Sequence, residues 1–171
     1  ALSTDQLQGL SDTQVAGFST YQLTTMGSED LSTLTAAQIQ ALTARQLSSL
    51  GTEQLISLAS DDLRALTGSQ IAALTTAQVA ALGTEELYQL TGDQLSSLTV
   101  GQVRAIETAD IDNIGVAALG SLSATQMGAL TARQLAAMTT DQLQSFNDEQ
   151  LGGLSTAQLA ALKTTQIAAI E

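Results

Sequence analysis

Large apolar residues recur along this chain with a period of eight. Counting from Leu2, the first position of every octad is large and apolar, and the sixth is Leu, Ile, Val or Met. Twenty-one consecutive octads run from Leu2 to Ala169 without insertion or deletion, and Ile170-Glu171 begins another unit. The consensus is L-T-x-x-Q-L-x-A. We therefore predict that residues 1–171 form a single continuous repeat domain with no linker.

An eight-residue period fits neither a continuous helix nor a strand. In one long helix, eight residues at about 100° each would move the apolar stripe by about 80° per octad, so no single partner could cover it. In a strand, the first and sixth positions are an odd number of residues apart and would lie on opposite faces. The chain must therefore change direction within each octad.

A short helix that restarts in every octad satisfies the pattern. The second position is usually Ser or Thr and the fifth is Gln in 16 of 21 octads, which is the capping box S/T-x-x-Q. The apolar first and sixth positions then form a hydrophobic staple, as Leu74 and Val79 do around Thr75 and Gln78. We predict an all-α solenoid of about twenty-one very short capped helices, one per octad and each about five or six residues long.

Some octads depart from the capping pattern. In six of them the second position is neither Ser, Thr nor Asn, and the third position is Ser or Thr, so we expect the N-cap to slip by one residue. These pairs are Gly27-Ser28, Gly51-Thr52, Ala59-Ser60, Gly83-Thr84, Glu107-Thr108 and Lys163-Thr164. Gly115-Val116 offers no capping side chain at either position. The fifth position departs from Gln at Asp30, Asp62, Glu86, Asp110 and Ala118.

The acidic residues indicate a higher-order period. Octads 4, 7, 8, 11 and 14 contain ten of the 17 acids. When octad 15 is added and the neighbours 7–8 and 14–15 are each counted as one group, these irregular units recur about every three and a half octads. We expect the solenoid to close a turn after about 3–4 octads, which aligns these units as one acidic, glycine-containing edge. The eighth position is almost always small, and we expect it to let successive helices pack closely.

Composition excludes several classes of function. Five basic residues oppose 17 acidic ones, and a formal charge of -12 is unsuited to binding nucleic acid. Apolar runs are too short for membrane insertion. Because the chain has no His and no Cys, it lacks the ordinary base and thiolate of nucleophilic catalysis. We predict that the protein is not an enzyme and has no catalytic or cofactor-binding residue.

The densest group of oxygen ligands is Glu107, Asp110 and Asp112. Carboxylates are ligands for a hard cation such as Ca²⁺, but these residues lack the spacing of an EF-hand loop. A solvated acidic edge explains them better. We predict no metal site, with these three residues as the weak candidates and Ca²⁺ as the one cofactor they would suit.

The first and last octads resemble interior ones and lack the polar terminal caps that solenoids carry. We therefore expect either end-to-end self-association or continuation into a longer repeat chain.

The segment LTTAQVAALGTEELYQLTGDQLSSL, residues 74–98, resembles octapeptide-repeat regions of large secreted or surface-attached bacterial proteins. The resemblance extends over the whole chain and transfers no site residue. It implies a structural protein that forms an extracellular stalk, spacer or filament body at a bacterial surface. The alternative is an adhesive or cation-tuned binding module that uses the acidic edge. A designed consensus protein would not contain octads as irregular as those from Ile106 to Ser121.

Overall fold

Every octad forms one short helix. The computed structural model describes residues 3–58 and 60–170. The described residues contain twenty α-helices and one 3₁₀ helix: α1 Thr4–Gln8, α2 Asp12–Ala16, α3 Thr20–Thr24, α4 Ser28–Leu31, α5 Ala36–Ala41, α6 Ala44–Ser49, α7 Thr52–Ile56, α8 Ser60–Ala65, α9 Gly68–Ala73, α10 Thr76–Ala81, α11 Thr84–Gln89, α12 Gly92–Ser96, α13 Val100–Ala105, the 3₁₀ helix Thr108–Asn113, α14 Val116–Leu119, α15 Ala124–Ala129, α16 Ala132–Ala137, α17 Thr140–Gln144, α18 Asp148–Gly152, α19 Thr156–Ala160 and α20 Thr164–Ile170.

The predicted capping box starts most of these helices. At α10, the Thr75 hydroxyl accepts a hydrogen bond from the Gln78 backbone N–H at 3.1 Å, and the Gln78 Oε1 accepts from the Thr75 backbone N–H at 2.8 Å. Two backbone donors at the helix start, which have no partner inside the helix, are thereby satisfied. A helix of only five or six residues begins at a defined position because its first turn is fixed in this way.

The chain turns between helices through two consecutive extended residues. Leu74 has φ −59° and ψ 146°, and Thr75 has φ −73° and ψ 158°. The first-position N–H then closes the preceding helix, as Leu82 does by donating to the Val79 carbonyl at 3.2 Å. No described residue has a positive φ. These turns therefore need neither a left-handed glycine nor a proline, which agrees with a chain that contains no proline.

Each helix packs on the helix three octads further along. Thus α2 packs on α5, α5 on α8, and α10 on α13. The predicted turn of 3–4 octads is confirmed by this packing. The sixth-position side chains point into the solenoid and are almost completely buried from Leu7 to Leu143, while most first-position side chains seal the same core. Burying each such side chain contributes about 1.5–3 kcal/mol. The protein is an all-α solenoid.

The predicted slip of the N-cap is wrong. Gly27, Gly51, Gly83 and Glu107 are themselves the N-caps of their helices, although none makes a capping hydrogen bond through its side chain. At α20, Lys163 N–H donates to Gln166 Oε1 at 2.8 Å. At Gly51 and Gly83 the fifth-position side chain likewise accepts the second-position N–H, and stacking between turns fixes that register, so the helix start does not move. The slip predicted at Ala59 lies outside the described residues.

The small eighth position serves the contact between turns. A β-carbon on Gly68, a third-position residue, would overlap the hydroxyl of Ser97, the eighth-position residue of the octad three units later. A β-carbon on Gly92 would overlap the Ser121 hydroxyl in the same way, and one on Gly153 would overlap the Ala124 backbone. The prediction of a small eighth position for close packing is therefore correct, but this residue packs against the previous turn and not against the next helix in the chain.

Replacing Gly153 with Ala should destabilise the protein by about 1–3 kcal/mol, because the added methyl group would overlap the Ala124 backbone. The measurement is urea unfolding followed by circular dichroism at 222 nm. Gly152→Ala is the matched control, since a β-carbon there meets nothing within 4 Å. Equal unfolding midpoints for the two variants would contradict this close approach.

None of the described helices has the length and apolar character needed to cross a membrane.

Candidate functional site: a glutamine ladder between the turns

The fifth-position glutamines join successive turns by hydrogen bonds. While the Gln78 Oε1 caps its own helix, the Nε2 donates to the Leu47 carbonyl at 2.8 Å and to the Leu50 carbonyl at 2.9 Å. These carbonyls lie 31 and 28 residues earlier in the chain. One carboxamide therefore serves as the cap acceptor of one turn and as the donor to two backbone acceptors of the previous turn.

The same bond repeats along the solenoid. The donation to the carbonyl 28 residues earlier has a length of 2.7–2.9 Å at each repeat. We call this row the glutamine ladder; it consists of Gln38, Gln46, Gln54, Gln70, Gln78, Gln94, Gln102, Gln126, Gln134, Gln142, Gln150, Gln158 and Gln166. All of these side chains are buried. A buried carboxamide stabilises a fold when both its oxygen and its nitrogen are hydrogen-bonded, and both are bonded in these glutamines.

The glutamines of the first turn are different. Gln6, Gln14 and Gln22 accept the N-cap N–H like the others, but their side chains are exposed and their Nε2 groups donate to no described residue. These three glutamines therefore cap their own helices but form no hydrogen bond to another turn among the described residues.

Carboxylates interrupt the ladder. Glu86 Oε2 accepts from the Gly83 N–H at 3.0 Å, so the cap is retained. A carboxylate oxygen cannot donate, however, and no described side chain donates to the Leu58 carbonyl, 28 residues before Glu86. The same holds for the Leu82 carbonyl, 28 residues before Asp110. At Glu86 and Asp110 the turns are therefore joined by fewer hydrogen bonds than at a ladder glutamine.

Replacing Glu86 with Gln should raise the free energy of unfolding by about 1–2 kcal/mol, because the new amide would donate to the otherwise unsatisfied Leu58 carbonyl. Urea unfolding at neutral pH measures the change. Glu85→Gln is the control. This substitution removes the same charge, but the Glu85 side chain is exposed. An equal effect of both substitutions would indicate charge relief instead of a restored ladder bond.

The acidic edge comprises Glu29, Asp30, Glu53, Asp61, Asp62, Glu85, Glu86, Glu107, Asp110 and Asp112. The helices that contain these residues stack in two runs: α4 packs on α7, and α11 packs on both α8 and the 3₁₀ helix. Because α7 and α8 follow each other in the chain, the two runs are adjacent. Thr84 Oγ1 donates to Asp110 Oδ1 at 2.8 Å across the second run. The acidic octads thus stack in two runs and not in the single predicted edge, and α14 of octad 15 packs instead on α12 and α17.

The three candidate metal ligands have separate roles in the structure. Glu107 is the N-cap of the 3₁₀ helix, Asp110 accepts from Thr84, and Asp112 Oδ1 accepts from Asn113 Nδ2 at 2.7 Å. Among residues 3–58 and 60–170, no group of three or more His, Cys, Asp or Glu side chains is arranged to hold a metal ion. The structure thus does not bring the three candidates together as a cation site.

The donor function of the glutamines was not predicted from the sequence, although a signal was present. A capping box accepts Glu as readily as Gln. This chain has 17 acidic residues, yet it places Gln at the fifth position in 16 octads and Glu in one. Such a preference indicates that the position needs a hydrogen-bond donor as well as an acceptor.

A family model of the ALTTAQ repeat matches residues 55–92, 103–140 and 135–171, which together make up more than half of the chain. The chain belongs to the ALTTAQ repeat family. The six letters of the ALTTAQ repeat occur here as residues 73–78, and they run from a small eighth position to a ladder glutamine. The family match confirms the predicted octapeptide-type repeat. A search of curated proteins found no match to the chain.

Proposed function

We propose that this chain is a structural rod that provides length or spacing outside a bacterial cell, as part of a stalk, spacer or filament body. The observation that carries the proposal is the glutamine ladder, which binds each turn to the one before it through the carbonyl 28 residues earlier and a second carbonyl 30 or 31 residues earlier. Bonds that repeat in this way propagate along one axis and add stability for each octad, as expected for a solenoid. The proposed role is structural and not catalytic.

The face of the last turn supports a role in a longer assembly. Leu159 and Ile167 occupy the sixth position, which is buried from Leu7 to Leu143, but they are 42% and 46% exposed. With Leu162 and Ile170 they line an apolar depression of about 300 Å³. We propose that a further turn of the same repeat covers this face, supplied either by continuation of the chain or by a second copy.

The glutamines at the opposite end complement that face. Gln6, Gln14 and Gln22 have amide groups that donate to no described residue, and the Leu159 and Leu162 carbonyls of the last turn receive no side-chain donor. A second copy placed above the last turn would bring these donors and acceptors together in the geometry already used inside the chain. The proposed contact between two copies would thus repeat the contact that joins successive turns inside one chain.

Small-angle X-ray scattering and electron microscopy of the purified chain test the proposed rod. Six to seven turns at about 8–10 Å per helix layer predict a particle about 60 Å long. Rods of this single length support a spacer, and long filaments of uniform width support a polymer subunit. A compact, nearly spherical particle would contradict both. The extracellular setting rests on the resemblance to bacterial surface repeats, and protease accessibility on intact cells of the source organism tests it.

A cation-tuned or adhesive module is the second candidate, favoured by the stacking of the acidic edge on adjacent helices. If the edge binds Ca²⁺, the melting temperature should rise in millimolar Ca²⁺ and fall again on chelation. Mg²⁺ at the same ionic strength is the control for simple charge screening. Unchanged melting in all three conditions would remove the cation-tuned alternative and leave the rod.

A further inference from the structure

The glutamine ladder lacks one carboxamide entirely. In octad 15 the fifth position is Ala118, which is buried at 6% exposure. The Leu90 carbonyl, 28 residues earlier, receives no donor from any described residue, and the Leu87 carbonyl accepts only the Leu90 N–H at 3.3 Å. The Gly115 N–H also lacks an acceptor within the described chain, whereas the equivalent N–H of other octads donates to a glutamine Oε1.

A cavity that is open to solvent lies where the missing side chain would be. It has a volume of about 310 Å³, and its lining includes Leu90, Gly115 and Ala118 together with Tyr88, Gln89 and Arg64. This volume is at the lower end of the range for small-ligand sites. The cavity is therefore bordered by Leu90 and Gly115, two residues whose backbone groups a ladder glutamine would otherwise satisfy.

The polar groups around the cavity specify the chemistry of an occupant. The Leu90 carbonyl requires a hydrogen-bond donor, and the Gly115 N–H requires an acceptor. A primary carboxamide carries a donor and an acceptor on the same carbon, and the ladder shows this group bonded to the equivalent carbonyl and N–H in thirteen other octads. A carboxylate has no hydrogen to donate, and an ammonium group has no acceptor.

The rim of the cavity adds contacts beyond the carboxamide. The Tyr88 side chain is 64% exposed, which leaves its ring free to cover an aliphatic chain entering the site. Arg64 Nη1 lies 3.5 Å from Gln89 Oε1, so these two side chains face each other across the contact between turns. We propose that the cavity at Ala118 is a binding site for a primary carboxamide, either as a free amide or as a glutamine side chain of another polypeptide.

Nuclear magnetic resonance of the ¹⁵N-labelled full chain tests this assignment. The probes are propionamide and the peptide acetyl-Ala-Gln-Ala-N-methylamide, and the control peptide replaces Gln with Glu. We expect a saturable shift of the Gly115 N–H with both amide probes and none with the Glu peptide. Tighter binding of the Gln peptide than of propionamide identifies a polypeptide side chain as the source, and equal binding identifies a free amide.

The variant Ala118→Gln provides the decisive comparison. Its own carboxamide should fill the cavity, so the Gly115 resonance should start at the bound position and no longer respond to either probe. Because the substitution restores the consensus octad, we expect it to fold, and the dispersion of the same spectrum shows whether it does. The proposal is overturned if Gly115 does not respond to amides in the natural sequence. Equal shifts with the Glu peptide, or an unchanged response in a folded Ala118→Gln variant, would also overturn it.

Discussion

Replacing Gln78 with Ala should lower the free energy of unfolding by about 3–5 kcal/mol, since the substitution removes a hydrogen-bonded group from between two turns. The Leu47 and Leu50 carbonyls would lose a donor, and the Thr75 N–H would lose its acceptor. Gln78 is only 2% exposed, so water cannot readily replace these bonds. Buried backbone groups left without partners cost about 1–3 kcal/mol each.

Gln14→Ala is the matched control for this experiment. Gln14 forms the same capping box, with Oε1 2.8 Å from the Ser11 N–H, but its Nε2 group bonds to no described residue. Its loss should cost about 0.5–1 kcal/mol, the ordinary contribution of a cap. Urea unfolding followed by circular dichroism measures both variants. A similar cost at both sites would show that the bond between turns contributes nothing beyond capping.

Replacing Leu95 with Ala should lower the free energy of unfolding by about 3–5 kcal/mol, because a completely buried sixth-position side chain would leave a cavity. Leu95 is 0% exposed and belongs to the continuous core. The rigid turns above and below it are held by ladder bonds, so the gap cannot close easily, and costs are highest where a site cannot collapse.

Leu159→Ala tests the same position where it is exposed. Leu159 also occupies the sixth position, but it is 42% exposed on the last turn. Its replacement should cost less than about 1 kcal/mol in the isolated chain, measured by thermal unfolding beside Leu95→Ala. If the chain self-associates through this face, the cost should rise with protein concentration. Equal costs for the two leucines at low concentration would contradict the described core.

Local features of this fold could be predicted because each octad contains its own signals. A capping hydroxyl, a Gln three residues later and an apolar pair around them define where a helix starts, as they do at Thr75 and Gln78. The length of the helices and the number of octads per turn also followed from the pattern. These features depend on residues within one octad or on the recurrence of irregular octads.

Contacts between turns could not be predicted in the same way. The donation from Gln78 to Leu50 joins residues 28 positions apart, and no local rule assigns a partner at that distance. The prediction of a slipped cap at Gly83 failed for this reason. Local capping preference favoured Thr84, whereas the register imposed by the neighbouring turns kept Gly83 at the helix start. The cavity at Ala118 likewise depends on a contact between turns, since Leu90 and Gly115 line it together.

The ladder has a consequence for how the length of such a protein can change. Each ladder glutamine reaches the carbonyl 28 residues back and a second carbonyl 30 or 31 residues back, and these lie on either side of a boundary between two octads. Every octad presents nearly the same backbone atoms at that boundary. Deleting or duplicating eight residues therefore exchanges one equivalent partner for another and leaves all other bonds in register. The molecule can therefore be lengthened in steps of a single octad, which is only a fraction of a turn.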